Sequence, residues 1–186
     1  DGIGRHAAYL ALPEGYVTLD DFNPGQNSFT VSLWLNANTI PSGNDPCIFS
    51  NQNWNRGVNS GFTLTINSQN ITLNIGNGSS SLKCSVNHPS TYTDSWMHVL
   101  AVVDRTANKI GVCVDFGTLI LMDLSEAFRI DFNTIYKANI GQDGTGKYKY
   151  PLLAAINEFM IFDGAFNQDD VNNLKAYYNN KTNYSK

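Results

Sequence analysis

In FTVSLWL, residues 29–35, apolar and polar positions alternate: Phe29, Val31, Leu33 and Leu35 share one face, and Thr30, Ser32 and Trp34 the other. GFTLTIN, residues 61–67, repeats the pattern with Phe62, Leu64 and Ile66 against Thr63, Thr65 and Asn67. A period of two buries one face only as a strand, and sheets with one buried face are usually antiparallel. AAYLAL, GYVTL, CIFSN, NITLNIG, WMHVLAVVDR, KIGVCVD, TLILMDL, ANIGQD and AINEFMIFD add further short segments rich in Val, Ile, Thr, Tyr and Phe. Between them lie turn signals: INSQN at 66–70, DRTANK at 104–109 and the three-glycine stretch GQDGTGK at 141–147. Many short strands with frequent turns predict an all-β, two-sheet antiparallel sandwich.

One helix is expected, and it comes last. Asn167 suits an N-cap before QDDVNNLKAYY, and Asp169 and Asp170 fall in the first turn, where the helix dipole favours negative charge. Phe166 and Val171 have the spacing of a hydrophobic staple, and Leu174 and Tyr178 continue the apolar side. The polar tail, 179–186, is expected to fray.

The 186 residues suffice for one domain with a real core, and no repeat or linker divides residues 1–186. The opening DGIGRHAAYL reads as cut from a longer chain with other domains. No stretch reaches the roughly 20 apolar residues that span a bilayer, so membrane insertion is not expected. Net charge is −4 with 15% charged residues, and the lysines are scattered. That balance does not suit nucleic acid, which calls for clustered Lys and Arg; it suits neutral polar ligands. Three cysteines allow at most one disulfide. Cys47 opens a strand, Cys113 sits in an apolar run, and Cys84 is the one expected to be exposed.

No G-x-S-x-G, H-E-x-x-H or C-x-x-C is present, and His6, His88 and His98 lie in unrelated contexts. Glu158 is alone on its strand, whereas glycoside hydrolysis needs paired carboxylates. No enzyme activity is expected. The connection CIFSNQNWNRGVNSGF, residues 47–62, is different: it holds Trp54, Arg56 and five Asn and Gln side chains. Pyranoses present a C–H face that stacks on aromatic rings and hydroxyls that bond planar amides and guanidinium groups. Trp54, Arg56, Gln52, Asn53 and Asn55 supply both chemistries. Tyr148 and Tyr150, beside the glycine loop, and Tyr92 are further aromatic candidates. Trp54 has two readings: an open stacking surface, or an indole tucked down to cap the sandwich.

Taken in order, FTVSLWLNA, CIFSN, DSWMHVLAVVDRTANKIGVCVD, NIGQDG and AINEFMIFDGAFNQDDVNNL resemble the laminin-G-like, concanavalin A-like jelly-roll superfamily, which includes the pentraxins. The likeness runs from about residue 7 to residue 178 and is closest to modules appended to secreted bacterial enzymes that act on glycans. The resemblance implies a secreted or cell-surface, non-catalytic carbohydrate-binding module that takes a neutral glycan through its edge loops. The alternative is a protein-binding adhesion domain whose partner is a host or cell-surface protein. Pentraxins hold calcium between the loop after a strand like CIFSN and a turn like GQDG. The matching positions here are Asn53 and Asn59 with Gln142 and Asp143, and calcium is the cofactor so implied. Related modules often have an acid where Asn53 stands, and the alternative for GQDG is a plain turn with a self-bonding Asp.

Overall fold

In the computed structural model, residues 8–10, 15–22, 24–37, 43–88 and 95–183 are described, without the side chains of 8, 9 and 181–183. The strands are β1 (Ala8–Leu10), β2 (Val17–Leu19), β3 (Phe29–Ala37), β4 (Cys47–Ser50), β5 (Gly61–Ile66) and β6 (Asn70–Gly76). They continue as β7 (Ser81–Asn87), β8 (Trp96–Asp104), β9 (Lys109–Val114), β10 (Ile120–Asp123), β11 (Ala138–Ile140) and β12 (Ala154–Asp163). Sheet I runs β1-β12-β3-β8-β9-β10 and sheet II β2-β11-β4-β5-β6-β7. Every pairing is antiparallel. The two-sheet sandwich is the architecture expected from the alternation.

The core lies between the sheets. Val31, Leu33 and Leu35 of β3 face Phe62, Leu64 and Ile66 of β5 and Ile71, Leu73 and Ile75 of β6, all fully or almost fully buried. Phe22, Phe29, Phe49, Phe62 and Phe132 interlock through tilted and edge-to-face contacts. Sequence reading missed one strand. In β7, SLKCSVN, Leu82, Cys84 and Val86 pack on the core side while Ser81, Lys83 and Ser85 face outward. Cys84 acts there as a small hydrophobe, which corrects the expectation of exposure: it is fully buried, and its thiol donates to the Ile120 carbonyl.

β12 contains a bulge. Its register against β3 shifts between Asn157 and Met160, and Glu158 takes φ +47°. Strict alternation would drive Glu158 into the core. The extra residue resets the period, so Ile156 and Phe159 both face inward, and Phe159 packs on Phe49.

Helix α1 (Gln168–Asn183) covers part of the outer face of sheet I. Asn167 Oδ1 accepts from the N–H groups of Asp169 and Asp170, and Asp170 Oδ2 accepts from the Asn167 N–H, a reciprocal cap. Phe166, Val171, Leu174 and Tyr178 pack with Trp34, Leu100, Val102 and Phe116. The helix continues to Asn183, through five of the residues expected to fray.

Beneath α1, His98 is structural. Its ring stacks on Phe116 at 3.9 Å, meets Trp34 edge-on, and bonds Ser32 Oγ through Nε2 at 2.9 Å. Trp96, on the same face, is half-buried outside the core, while Met97 and Val99 point inward. Burial pushes the His98 imidazole down to about 3. A histidine held neutral in the native state binds its proton only in the unfolded chain once pH falls below about 6.5. Its contribution is therefore complete above that pH and shrinks on acidification, by up to about 1.4 kcal/mol per pH unit. Denaturant midpoints for wild type and His98→Asn between neutral and mildly acidic pH are expected to show a steeper acid loss in wild type.

Candidate binding site

Ten irregular residues, 51–60, join β4 to β5 and fold back across the outer face of sheet II, over Thr63 of β5 and Asn74 of β6. A loop laid on a sheet face must find partners for its own N–H and C=O groups. Gln52 supplies several at once and is fully buried. Its Oε1 accepts from Thr63 Oγ1 at 2.8 Å and Asn74 Nδ2 at 3.0 Å. Its Nε2 donates to the carbonyls of Gly57 and Asn59. Asn51 spans from the Phe132 carbonyl to the Phe62 N–H. Asn53 Oδ1 accepts from the Asn55 N–H, and Asn59 Nδ2 donates to the Asn53 carbonyl. Close approach adds a glycine requirement, because a Cβ on Gly76 would overlap the Asn59 carbonyl and the Gln52 amide.

Trp54 is packed inward with 6% of its surface exposed, which corrects the reading of an open stacking indole. Gln52, expected to meet ligand, is fully committed to the loop. Asn55 and Arg56 remain exposed.

The second loop, 141–150, returns over the same face. Asp143 is fully buried at the junction. Its Oδ2 accepts from the Trp54 N–H at 3.0 Å, and its Oδ1 from the N–H and hydroxyl of Thr145 and the N–H of Lys147. The Gly144 N–H donates to the Gln52 carbonyl, and a Cβ on Gly144 would strike the Asn51 backbone. Gln142 Nε2 donates to the Tyr148 carbonyl, while Oε1 accepts from the Asp143 N–H.

This donor set does not fit calcium, which takes six to eight oxygens, several of them carboxylate. The one carboxylate is enclosed by four hydrogen donors, and the oxygens of Gln142 and Asn53 already accept backbone N–H groups. Among the described residues, no group of three or more His, Cys, Asp or Glu could hold a metal ion.

Past Asp143 the loop reaches the other end of sheet II. Tyr148 donates its hydroxyl to Asp45 Oδ1 at 2.7 Å, and its ring meets Tyr150 edge-on at 5.5 Å. Burial, then the Asp45 partner, pushes the Tyr148 phenol well above its usual range. Beside them opens a groove of about 380 Å³ lined by Gly43, Asn44, Asp45, Asn67, Ser68 and Gln69. Asn67 sets the hairpin by accepting from the N–H groups of Gln69 and Asn70, and His88 Nε2 bonds the Asn67 carbonyl. Tyr148 and Tyr150 are thus grouped with this groove, away from Trp54. Tyr92 lies outside the described residues. Sequence reading treated INSQN only as a turn and missed Asn67, Ser68 and Gln69 as groove lining.

A laminin-G-like family profile described as the concanavalin A-like lectin/glucanases superfamily matches residues 13–172. The chain belongs to that superfamily. No curated protein matches it by sequence. Among solved structures, one concerning botulinum neurotoxin type C and its dependence on two ganglioside molecules for cell entry superposes with a TM-score of 0.65 at 16% identity. It covers 88% of this chain and 39% of the toxin chain. The binding domain of botulinum neurotoxin DC with rat synaptotagmin II gives 0.64 at 16% identity, with the same coverage. The chain therefore spans about two-fifths of these toxin chains. The CBM40 of a Ruminococcus gnavus IT-sialidase gives 0.65 at 13% identity, covering 82% of this chain and 84% of that one. At these identities the likeness establishes the fold. No helix among the described residues is long and apolar enough to cross a membrane.

With its indole packed over sheet II, Trp54 is part of the fold. Trp54→Ala is expected to lower unfolding free energy by about 3–5 kcal/mol, the usual range for deleting a buried tryptophan. Chemical denaturation measures it; a loss below about 1 kcal/mol would mean the loop does not depend on the indole.

Proposed function

We propose that this domain is a non-catalytic glycan-binding module of a secreted or cell-surface protein, and that its ligand enters the groove beside Tyr148 and Tyr150. The observation that carries the reading is the groove itself. Asn44, Asp45, Asn67, Ser68 and Gln69 bring amide, hydroxyl and carboxylate groups into one open space of sugar-unit size. Asp45 lines the groove and is held there by the Tyr148 hydroxyl, which donates to its Oδ1. Membership of a superfamily of lectins and glucanases supports it, as do neighbours whose descriptions name gangliosides and a sialidase carbohydrate-binding module.

A glycan array probed with the folded domain tests the reading. Asp45→Ala is expected to weaken retention by about ten-fold or more, the cost of one charge-assisted hydrogen bond. Retention on no glycan would remove the proposal. Because Asp143 is occupied by its own loop, binding is proposed to need no metal. Melting temperatures in excess calcium and in chelator are then expected to coincide; a rise with calcium would mean that the ion binds the native state.

A protein partner is the second reading, favoured by one observation. On the edge strand β10, Ile120, Leu121 and Met122 are 40%, 48% and 38% exposed in an unbroken apolar run. Binding to a glycoprotein that persists after its glycans are removed would favour this reading over the first.

A further inference from the structure

We infer that the outer face of sheet II around Trp54 receives the acidic group, carboxylate or sulfate, of a glycan. This rests on the glycan-binding reading and names the ligand's charge class.

The chain carries 12 Lys and Arg against 16 Asp and Glu. Elsewhere, several cations are engaged with the protein. Lys109 pairs with Asp123 and Lys137 with Asp20. Arg105 donates to the Ile130 carbonyl and lies over Phe132, and Arg129 donates to the Leu124 carbonyl. Arg56, Lys83 and Lys147 are exposed and, like Lys149 and Lys175, form no ion pair among the described residues; what distinguishes them is their place in the fold.

Lys83 lies at the Trp54 indole, and the other two belong to the loops that meet beside it. Lys83 projects from the outer side of β7, with Nζ 5.8 Å from the centre of the Trp54 ring. Arg56 follows Trp54 by two residues in the same loop. Lys147 shares the Asp143 carboxylate with Trp54 through their main-chain N–H groups. The acid of this hub is fully buried behind four donors, so the charged side chains named here that face solvent are cationic, in a protein of net negative charge.

A second observation points to an acceptor-bearing ligand. Trp54 Nε1 is buried without a hydrogen-bond partner. Buried N–H donors are rarely left unpaired, and an anionic oxygen is the strongest acceptor that three neighbouring cations would recruit. Between this hub and the groove end, on the same sheet, lie Thr72 and Ser85, bonded at 2.8 Å. A glycan reaching across these two hydroxyls from the hub to the groove would put its neutral hydroxyls on Asp45 and its acidic group near Lys83.

The test is an array that carries each acidic glycan beside its neutral counterpart: sialylated and asialo, uronate and methyl ester, sulfated and desulfated. Acidic members are expected to be retained about ten-fold more strongly, with the advantage falling as salt rises. The sialylated and uronate pairs against the sulfated pair separate carboxylate from sulfate. Arg56→Gln and Lys83→Gln, both at exposed positions, are expected to reduce the acidic preference while leaving retention of neutral members in place. Equal retention within every pair, or an acidic preference that survives both substitutions, would overturn the inference while leaving glycan binding intact. Retention on no member at all would remove glycan binding and this inference together.

Discussion

A buried backbone must satisfy its own polar groups, and that obligation organises the functional side of this molecule. Sheet II would present a plain row of threonines and asparagines if loops 51–60 and 141–150 did not fold across it. They can lie there only because their carbonyls and N–H groups find partners in side chains. The Asp143 carboxylate is the main junction. It takes the Trp54 N–H from one loop and the Thr145 and Lys147 N–H groups from the other, so neither loop holds its place without the other. Gln52 ties the first loop down onto Thr63 and Asn74. Isolated carboxylates are costly to bury, and enclosure by donors on both oxygens is the condition under which one is tolerated.

The abundance of amides around Trp54 thus has a structural cause. Asn and Gln offer a donor and an acceptor on one rigid plane, which is what an irregular backbone packed against a sheet requires. The same property suits sugar hydroxyls, so composition alone could not separate the two uses. Trp54 shows the ambiguity well. From sequence it was as compatible with capping as with stacking, and only the path of the loop, fixed by Asp143 nearly ninety residues away, turns the indole inward.

Strand alternation was legible because burial on one face imposes a period of two residue by residue. β3 and β5 follow it closely, whereas β8, covered by α1 on its second face, is apolar on both sides. β7 has the same alternation as β3 and β5, with Leu82, Cys84 and Val86 inward and Ser81, Lys83 and Ser85 outward, and it escaped because its serines and lysine give the segment the look of a polar connection. The β12 bulge escaped for a different reason. Glu158 breaks the period, but a broken period does not say whether the strand ends or gains a residue. The cap of α1 was legible in full, since Asn167 and Asp170 lie three positions apart and their bonds are local. The groove was half legible. Tyr148 and Tyr150 stood out as aromatic, whereas Asn67, Ser68 and Gln69 carried only a turn signal, and their nearness to Asp45 is a tertiary fact.

The cations around Trp54 could have a purely internal task, offsetting the buried charge of Asp143. The geometry weighs against that. Four hydrogen donors already surround the carboxylate, and none of them is an ammonium or guanidinium group. Lys147 contributes its main-chain N–H and sends its side chain to solvent, while Lys83 lies over the indole ring. A counter-charge needed for stability would sit within ion-pair distance, because exposed charges farther off are screened by water and salt. These side chains instead stand in solvent, and among the described residues none of them is in an ion pair. Cations left in solvent in this way are available to an arriving anion, which is the behaviour proposed for this surface.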